Sequence, residues 1–492
     1  MSGPQANPQQ EAAVSALRGP VLIQAGAGTG KTRTLTERFV QALDDVEGEE
    51  WRRIGVGEIL TITFTDKAAG ELSERIRTSL RARGRHAEAL AVDGAWISTI
   101  HGLCTRILRR YALEAGLDPE FTIIDAIDDR RLKERTFERV AGETLRTSEG
   151  ARLFAAYGFS DLFGVVERVS GTLRARGLRA EDIVTSDALD PPELHRGAVG
   201  FFSEASERLA ACGATGKNAT ALHERCTGAV MRLAECDVDA IPPGEVARAV
   251  WDELAAWRAG GKAAGPAEPI RQELKERHAA LLEQAAACVC APLERSIVGL
   301  VERYTATYAD EKRRISSLDF DDLQVETTRL LLRRPDIAAE LRAQLRLVMV
   351  DEFQDTDALQ LRLIGALAGD DLCTVGDEYQ SIYRFRGADI DVYRAHNRAA
   401  LARGARTFEL STNYRSHEAV LAFVNQVFDS EVFAGGSLIR LEPGRDPDKG
   451  LALDADEPRI DLVLVDKTDC DSGAGRFAEA DMTARRFAAL RD

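Results

Sequence analysis

The sequence predicts an α/β fold: a doubly wound domain with a parallel sheet, a large α-helical insertion within it, and the start of a second α/β domain. Three observations predict this. Short apolar runs rich in β-branched residues alternate with helical stretches, as the buried strands of a parallel sheet require. A long middle segment has amphipathic helical periodicity and no such runs. The first run leads straight into a glycine-rich loop that ends in Lys-Thr.

The candidate strands of the parallel sheet are six short segments. They lie at residues 21–24, 59–64, 96–100, 345–350, 372–375 and 407–410. In a doubly wound sheet the ligand binds beyond the carboxyl ends of the strands, so the loops that follow these segments are the first places to look for a site.

The spacing of these runs divides the chain of 492 residues, which is long enough for two or three domains. We predict that residues 1–128 and 316–406 form the first α/β domain and that 129–315 form the helical insertion. Residues 407–492 are predicted to form an incomplete second α/β domain, with a further strand at 459–466 and one more helical stretch before Asp492.

Composition is typical of a folded soluble protein, because 45% of the residues are hydrophobic, 29% are charged and only 15 are prolines. No uninterrupted apolar run is long enough to span a membrane, and the first residues are too polar for a signal peptide. The 8 cysteines are scattered and indicate reduced thiols without a cysteine metal site. We therefore expect a cytoplasmic protein without a membrane partner.

The net charge of −16 argues mildly against a nucleic-acid partner, whose phosphates are bound by Lys and Arg. The charge is not uniform, since arginines cluster early in the chain at Arg77, Arg81, Arg83, Arg85, Arg106, Arg109 and Arg110. These arginines either lie on solvated helix faces, which is the more common outcome, or line a groove on an otherwise acidic surface.

The loop after the first strand has the residues of a phosphate-binding loop. It reads Ala25-Gly26-Ala27-Gly28-Thr29-Gly30-Lys31-Thr32, and Arg33 opens a helical stretch. Backbone N–H groups and the helix N-terminus can surround phosphate oxygens, Lys31 can reach the β- and γ-phosphates, and the Thr32 hydroxyl can bind Mg²⁺. Ala25 stands where the pattern has its first glycine, but Gly28 and Gly30 still permit a close backbone approach. The alternative is a glycine-rich turn without a ligand.

Such a loop needs an acidic pair on a neighbouring strand, with one carboxylate for Mg²⁺ and one for the attacking water. The apolar segment 347–350 is followed directly by Asp351 and Glu352. We assign Asp351 to Mg²⁺ and Glu352 to water activation, which makes ATP with Mg²⁺ the expected ligand.

Two segments, Asp-Glu-Phe-Gln-Asp-Thr at 351–356 and the phosphate loop at 25–32, closely resemble superfamily 1 helicases of the UvrD/Rep and AddA/RecB group. Five more resemble that family's motifs in the same order. They are Asn-Pro-Gln-Gln at 7–10, Thr-Phe-Thr-Asp-Lys-Ala-Ala at 63–69, Ser-Thr-Ile-His-Gly at 98–102, Gly-Asp at 376–377 with Gln-Ser-Ile-Tyr-Arg-Phe-Arg-Gly-Ala at 380–388, and Asn-Tyr-Arg-Ser at 413–416. The resemblance implies two RecA-like P-loop NTPase domains with ATP in the cleft between them.

The resemblance also implies further roles in nucleotide binding, residue by residue. Gln10 would recognise adenine, Tyr414 would stack on it, and Gln380 would sense the γ-phosphate. Arg415 would act as an arginine finger, because a guanidinium delivered to the phosphates stabilises the charge of the transition state.

The same resemblance implies a path for single-stranded DNA, with a 3′-tailed duplex as substrate and movement from 3′ to 5′. Aromatic faces stack on any base, so Phe64, Tyr383 and Phe385 are the stacking candidates. Thr99 and His101 would hold the DNA backbone, and Thr63 lies in the same DNA-contacting motifs.

Three functional interpretations remain open. The first is a translocase or helicase in DNA repair or recombination. The second is the motor part of an AddA/RecB-like helicase–nuclease, whose nuclease domain would lie downstream of Asp492 and whose partner would be a nuclease or second helicase subunit. The long segment between Lys31 and Asp351 and the sequence Leu-Asp-Phe-Asp-Asp-Leu at 318–323 favour an AddA-like protein, although 386–389 suits RecB or UvrD as well.

The third interpretation is a non-catalytic module that binds ATP and DNA. It arises because the late motifs of the family are not found after residue 416. For this polypeptide we expect binding of ATP with Mg²⁺, weak hydrolysis and no unwinding of duplex DNA.

Overall fold

The computed structural model describes residues 7–45, 51–185, 189–213, 216–263, 265–383, 389–429, 439–444 and 472–489. The chain forms two compact units. One comprises Met1–Pro119 with Asp322–Asp492, and the other comprises Glu120–Asp321.

The strands, in chain order, are β1 Val21–Ala25, β2 Ile59–Thr63, β3 Trp96–Thr99, β4 Thr122–Ile123, β5 Ser317–Leu318, β6 Leu347–Val350, β7 Leu372–Gly376, β8 Arg406–Leu410, β9 Thr412–Asn413 and β10 Glu442–Pro443. The helices are α1 Pro8–Ser15, α2 Lys31–Gln41, α3 Asp66–Ala82, α4 His86–Ala91, α5 Ile100–Arg110, α6 Ala112–Ala115, α7 Ala126–Thr144, α8 Ser148–Tyr157, α9 Phe159–Arg176, α10 Pro191–Ala211, α11 Lys217–Ala234, α12 Pro243–Ala256, α13 Ala267–Arg314, α14 Phe320–Arg333, α15 Pro335–Gln344, α16 Ala358–Leu367, α17 Ile390–Ala402, α18 Glu418–Phe428 and α19 Ser472–Ala489.

The first unit is built on a parallel sheet of six strands in the order β3-β2-β6-β7-β1-β8. The predicted fold class is confirmed, since all six predicted strands lie in this sheet. Every residue of β2 and β6 is buried, as expected of parallel strands that are covered on both faces. Because the strands are parallel, the loops after β1, β2, β6 and β7 all leave from the same edge of the sheet.

Strand β8 pairs with β1 along its whole length, from Val21 beside Arg406 to Ala25 beside Leu410. This strand therefore belongs to the first sheet, which corrects the predicted domain boundary at residue 407 and moves it beyond Leu410. The predicted strand at 459–466 lies outside the described residues. The assignment of the residues beyond Leu410 to a second domain stays a prediction.

The core of the first unit packs helices α1, α2 and α3 against the sheet. Helix α3 begins where the Thr65 hydroxyl accepts from the backbone N–H of Ala68, and it buries Leu72, Ile76 and Leu80 at a spacing of one turn. The fully buried Arg38 of α2 donates to the carbonyls of Ala13 and Ala16 at the end of α1. These bonds satisfy carbonyls at a helix end and hold α1 beside α2.

The second unit is helical and spans 120–321, compared with the predicted 129–315. Its two ends meet where β4 pairs in parallel with β5. Helix α13 has 48 residues and contributes buried side chains to two hydrophobic clusters, one with α10–α12 and one with α7–α9. Within the part of the chain that the structure describes, α13 is the one helix long and apolar enough to cross a membrane, a criterion that core helices of soluble proteins also meet.

Candidate nucleotide-binding site

The loop between β1 and α2 has the geometry of an anion-binding turn. Gly28 and Gly30 have φ angles of 72° and 87°, in the left-handed region that glycine tolerates, and Gly30 is the N-cap of α2. The buried hydroxyl of Thr29 donates to the Gly26 carbonyl at 2.8 Å and braces the turn from inside. The first N–H groups of α2, which begins at Lys31, are available for phosphate oxygens.

The ammonium of Lys31 lies 2.7 Å from Oε2 of Glu352, with only 12% of the lysine side chain exposed. Asp351 stands at the end of β6, where its backbone N–H donates to the Ile62 carbonyl of β2. Its Oδ1 accepts from the backbone N–H of Glu352 at 3.0 Å. The structure therefore brings the predicted lysine and the predicted acidic pair together.

Two carboxyl groups of this site are unfavourable in their ionised form, mainly because of burial and then because of the charge of Glu352. Burial, followed by the charge of Glu352, raises the pKa of Asp351 to about 6, and Lys31 only partly opposes the rise. Burial and Glu352 likewise raise the pKa of Asp355 to about 6, and its Oδ1 is buried without a hydrogen-bond partner among the described residues. A divalent cation would relieve both effects.

The oxygens of Asp351 and Thr32 fit the hard-cation chemistry of Mg²⁺. Over the described residues, no group of three or more His, Cys, Asp or Glu side chains could hold a metal ion by itself. A Mg²⁺ ion held here would therefore depend on phosphate oxygens as further ligands.

Helix α1 ties the amino-terminal segment to the phosphate loop. Asn7 and Gln10 form a reciprocal capping box, and Nε2 of the buried Gln10 donates to the Thr29 carbonyl at 2.9 Å. Nδ2 of Asn7 donates to the Thr412 hydroxyl at 3.0 Å, and Nε2 of Gln9 donates to the Ser411 hydroxyl at 3.2 Å. The predicted adenine-binding residue thus lies directly against the loop.

The segment after β8 closes on the other side of the loop. Nδ2 of Asn413 donates to the Ala27 carbonyl at 2.6 Å, and the backbone N–H of Tyr414 donates to the Gly28 carbonyl at 2.9 Å. A Cβ atom on Gly28 would lie 2.7 Å from Cβ of Arg415. Tyr414 and Arg415 are therefore neighbours of the phosphate loop, as an adenine-stacking residue and an arginine finger require.

Gln380 lies on a short turn after β7. Its Nε2 donates to Oδ2 of Asp377 at 2.6 Å. The backbone N–H of Asp377 donates at 3.0 Å to Oε1 of Gln354, and Nε2 of Gln354 donates at 2.9 Å to Oε2 of Glu352. A chain of hydrogen bonds thus connects the predicted γ-phosphate sensor with the predicted water-activating carboxylate.

The predicted stacking residues Phe64 and Tyr383 lie on each other, with ring centroids 4.9 Å apart and planes 28° from parallel. Both side chains are half-buried. Phe385 lies outside the described residues. The two described aromatic residues therefore form one surface at the edge where β2 and β7 end.

The polar DNA candidates have partners within the protein. The Thr99 hydroxyl caps α5 by accepting from the Gly102 N–H and donates to Asp66 at 3.1 Å. Nε2 of His101 lies 2.9 Å from the amide nitrogen of Gln324, which makes the ring nitrogen the acceptor. Thr63 is buried, and its hydroxyl donates to the Thr65 carbonyl at 3.1 Å.

Most of the early arginines are paired inside the first unit. Arg77, Arg83, Arg85 and Arg110 form ion pairs with carboxylates, whereas Arg106 donates to the carbonyls of Gly94 and Ala95 and lies over the ring of Trp96. These contacts favour solvated helix faces over a continuous basic groove.

The family profile of the UvrD/REP helicase N-terminal domain matches residues 6–400 of the chain. This chain belongs to that family. An ATP-dependent helicase/nuclease subunit of Moorella thermoacetica is 31% identical over 86% of the chain and 34% of its own length. The ATP-dependent DNA helicases UvrD1 of Mycobacterium tuberculosis and PcrA of Staphylococcus aureus are 30% and 26% identical, each over 86% of the chain and 39% of the relative. The chain thus spans less than two fifths of the length of these relatives.

Two residues of this UvrD/REP-type site were not assigned from the sequence. Gln354 and Asn413 are both buried amides that bridge separate segments, one between the loops after β6 and β7 and one between the 413–416 segment and the phosphate loop. Each lies inside one of the family motifs. A polar amide two residues from an assigned carboxylate or arginine is the signal that could have identified them.

Proposed function

We propose that this chain is the ATP-binding part of a DNA translocase or helicase that acts in DNA repair or recombination in the cytoplasm. The observation that supports it best is the contact of Lys31 with Glu352 beside the half-buried Asp351. A glycine-rich turn without a ligand gives no reason for a lysine and the carboxylates of Asp351, Glu352 and Asp355 to lie at the edge of one sheet.

In this proposal each residue has one task in hydrolysis. Lys31 and the N–H groups at the start of α2 hold the β- and γ-phosphates. Glu352 takes the proton of the water whose oxygen forms the new bond to the γ-phosphorus, while the bond to the leaving oxygen of ADP breaks. Arg415 stabilises the charge that develops on the phosphate oxygens. Mg²⁺, held by Thr32 and Asp351, would neutralise phosphate charge and orient the nucleotide.

Single-stranded DNA is the proposed track, entered from a 3′-tailed duplex with movement from 3′ to 5′. The stacked pair of Phe64 and Tyr383 supports this, because it offers an aromatic surface beside the turn that carries Gln380. A base that inserts here would take over part of the contact that the two rings make with each other.

We expect weak ATP hydrolysis by the 492-residue chain that rises when single-stranded DNA is added. Glu352→Gln keeps the shape of the side chain but removes the base, so turnover should fall by roughly 10²–10⁴ while ATP still binds. The measurement is phosphate release with and without DNA. The control is Glu114→Gln, an exposed carboxylate, which should behave like the wild type. Turnover that survives in Glu352→Gln would remove the assigned role of Glu352.

The motor part of a helicase–nuclease is a second candidate function. It is favoured by the similarity to a helicase/nuclease subunit over 86% of this chain. The coding sequence downstream of codon 492 tests it. Acidic and lysine residues in a nuclease-type arrangement there, or in an adjacent gene, would support this candidate, and their absence from both would oppose it.

A further inference from the structure

Gln354 occupies a central position that no assigned role explains. It belongs to the turn after β6, two residues beyond Glu352, and is 1% exposed. Its Nε2 donates to Oε2 of Glu352 at 2.9 Å and lies 3.4 Å from Oδ2 of Asp355. Its Oε1 accepts from the backbone N–H of Asp377, and the backbone carbonyl of Gln354 accepts from the Ser381 hydroxyl at 3.2 Å. One side chain therefore joins the segments that follow two neighbouring strands.

The surroundings of this amide leave it little freedom. A Cβ atom on Gly376 would lie 2.9 Å from Oε1 of Gln354 and 3.0 Å from the ring of Tyr393. Phe353, the residue before Gln354, is fully buried against Tyr393 and His396 of α17. A rotation of the amide would break hydrogen bonds on both sides, so a change on one side is passed to the other.

The oxygen that Gln354 contacts is the same one that Lys31 contacts. Oε2 of Glu352 accepts from Nε2 of Gln354 and lies 2.7 Å from Nζ of Lys31. Lys31 and Gln354 both donate to Oε2 of Glu352. If a γ-phosphate draws Lys31 away, Gln354 is the one of these two donors that stays. The hydrogen bond from the amide then becomes stronger, because it is charge-assisted and no longer shared.

On its other side, Gln354 acts on the turn that continues toward the aromatic pair. Asp377 accepts from Gln380 and from the backbone N–H of Tyr379, and Ser381 contacts the Gln354 carbonyl. Tyr383, two residues later, stacks on Phe64. A displacement of the amide would therefore move Asp377 and the turn that follows it, and with this turn the ring of Tyr383 on Phe64.

We propose that Gln354 is a positioning residue that couples the nucleotide site to the DNA-binding surface, so that nucleotide identity changes the affinity for single-stranded DNA through this amide. The proposal rests on the proposed function, since it requires both ligands. Gln354 does not touch the reacting atoms. Its amide acts through Glu352 on one side and through Asp377 on the other, and its backbone carbonyl adds a contact with Ser381.

The test is a linkage measurement that needs no hydrolysis. The affinity of the full chain for a fluorescent oligothymidylate is measured with saturating ADP·Mg²⁺ and with a non-hydrolysable ATP analogue and Mg²⁺. For the wild type the two affinities should differ by roughly fivefold or more, the lower end of typical allosteric coupling. In Gln354→Met, which keeps the volume but removes the hydrogen bonds of the side-chain amide, the ratio should fall to about one. Each nucleotide should still bind in the absence of DNA.

Three further variants distinguish the coupling role from a merely structural effect. Gln354→Glu keeps an acceptor for the Asp377 N–H, and at alkaline pH, where the new carboxyl is ionised, it repels Glu352 instead of donating to it, so it should lose the coupling. Gln360→Met, on the neighbouring helix α16, is the matched control and should retain the wild-type ratio. Adding Gln380→Ala to Gln354→Met should change the ratio no further, since both act on one connection.

The outcomes separate this inference from the proposed function. Failure of the wild type to bind ATP would remove both. A wild type that binds both nucleotides without any change in DNA affinity would overturn only the coupling role. The same holds if Gln354→Met and Gln354→Glu keep the wild-type ratio, or if Gln360→Met loses it equally.

Discussion

At the scale of single residues, Glu352 combines a chemical task with an unfavourable backbone conformation. Its φ is 50° and its ψ is 44°, in the left-handed region where a residue with a Cβ atom costs about 1–2 kcal/mol. Ion pairing with Lys31 and the hydrogen bond from Gln354 hold the side chain in place. Strain of this kind is found mostly at functional sites, where the surrounding structure maintains it.

Gly28 permits a single-residue test of the loop. Gly28→Ala would place Cβ at φ 72° and within 3 Å of Arg415 and Asn413, whereas Gly84→Ala has nearly the same φ of 74° and no neighbour within 4 Å. Both variants should lose about 1–2 kcal/mol of stability from the backbone alone. Only Gly28→Ala should weaken ATP binding, by roughly tenfold or more, or about 1.4 kcal/mol. Equal ATP affinity of the two variants in a titration would contradict the close approach of the 413–415 segment.

At the scale of elements, the helical unit contains a buried ion network where α13 ends and β5 begins. Asp319 accepts from Arg174, from Lys312 at 2.7 Å and from the hydroxyl of Tyr308 at 3.0 Å. Burial pushes the pKa of Asp319 up, but Arg174 and Lys312 together lower it below its ordinary value. The ionised form is therefore the one that the fold stabilises.

We expect Asp319→Asn to lower the free energy of unfolding by about 3–5 kcal/mol, because it removes the buried negative charge that both Arg174 and Lys312 contact. Asp321→Asn removes an exposed carboxylate 4.0 Å from Arg174 and should change the stability by less than about 1 kcal/mol. Urea denaturation followed by circular dichroism measures both. Similar losses in the two variants would show that the network is not what stabilises this region.

The pH dependence of that difference has a defined sign. A carboxyl whose pKa is lowered by folding contributes stability above its ordinary pKa, which is 3.8 here, and loses it as the pH falls toward the folded value. The difference between wild type and Asp319→Asn should therefore be constant from neutral pH to about pH 5 and shrink below about pH 4. A difference that grows on acidification would contradict the ionised state of Asp319.

The strands and helices that were predictable from the sequence are those whose residues determine the element without contacts distant in sequence. Apolar β-branched runs indicate the six strands of the sheet, and α2 follows from the glycine-rich loop before it. The position of β8 beside β1 was not predictable, because strand order depends on pairing between segments 385 residues apart in sequence, as for Val21 and Arg406. The role of Asn413 was not predictable for the same reason, because its partner, the carbonyl of Ala27, lies far away in the sequence.

At the scale of the whole molecule, the candidate site was largely predictable because its chemistry is concentrated in short motifs. The contact of Lys31 with Glu352 follows from two motifs at the same edge of a parallel sheet. The roles of the early arginines were not decided by the sequence, since their carboxylate partners lie on other helices, as Glu37 does for Arg83. Gln354 was missed because an amide gains its importance from the two segments that it joins.

The central claim is that Lys31 and the acidic pair Asp351 and Glu352 form an ATP site, and equilibrium titration with ATP in the presence of Mg²⁺ tests it most directly. The wild-type chain should bind ATP, and Lys31→Ala should weaken that binding at least about tenfold, or 1.4 kcal/mol. Lys275→Ala, an exposed lysine of α13, should bind like the wild type. No binding by the wild type, or equal binding by Lys31→Ala, would contradict the claim.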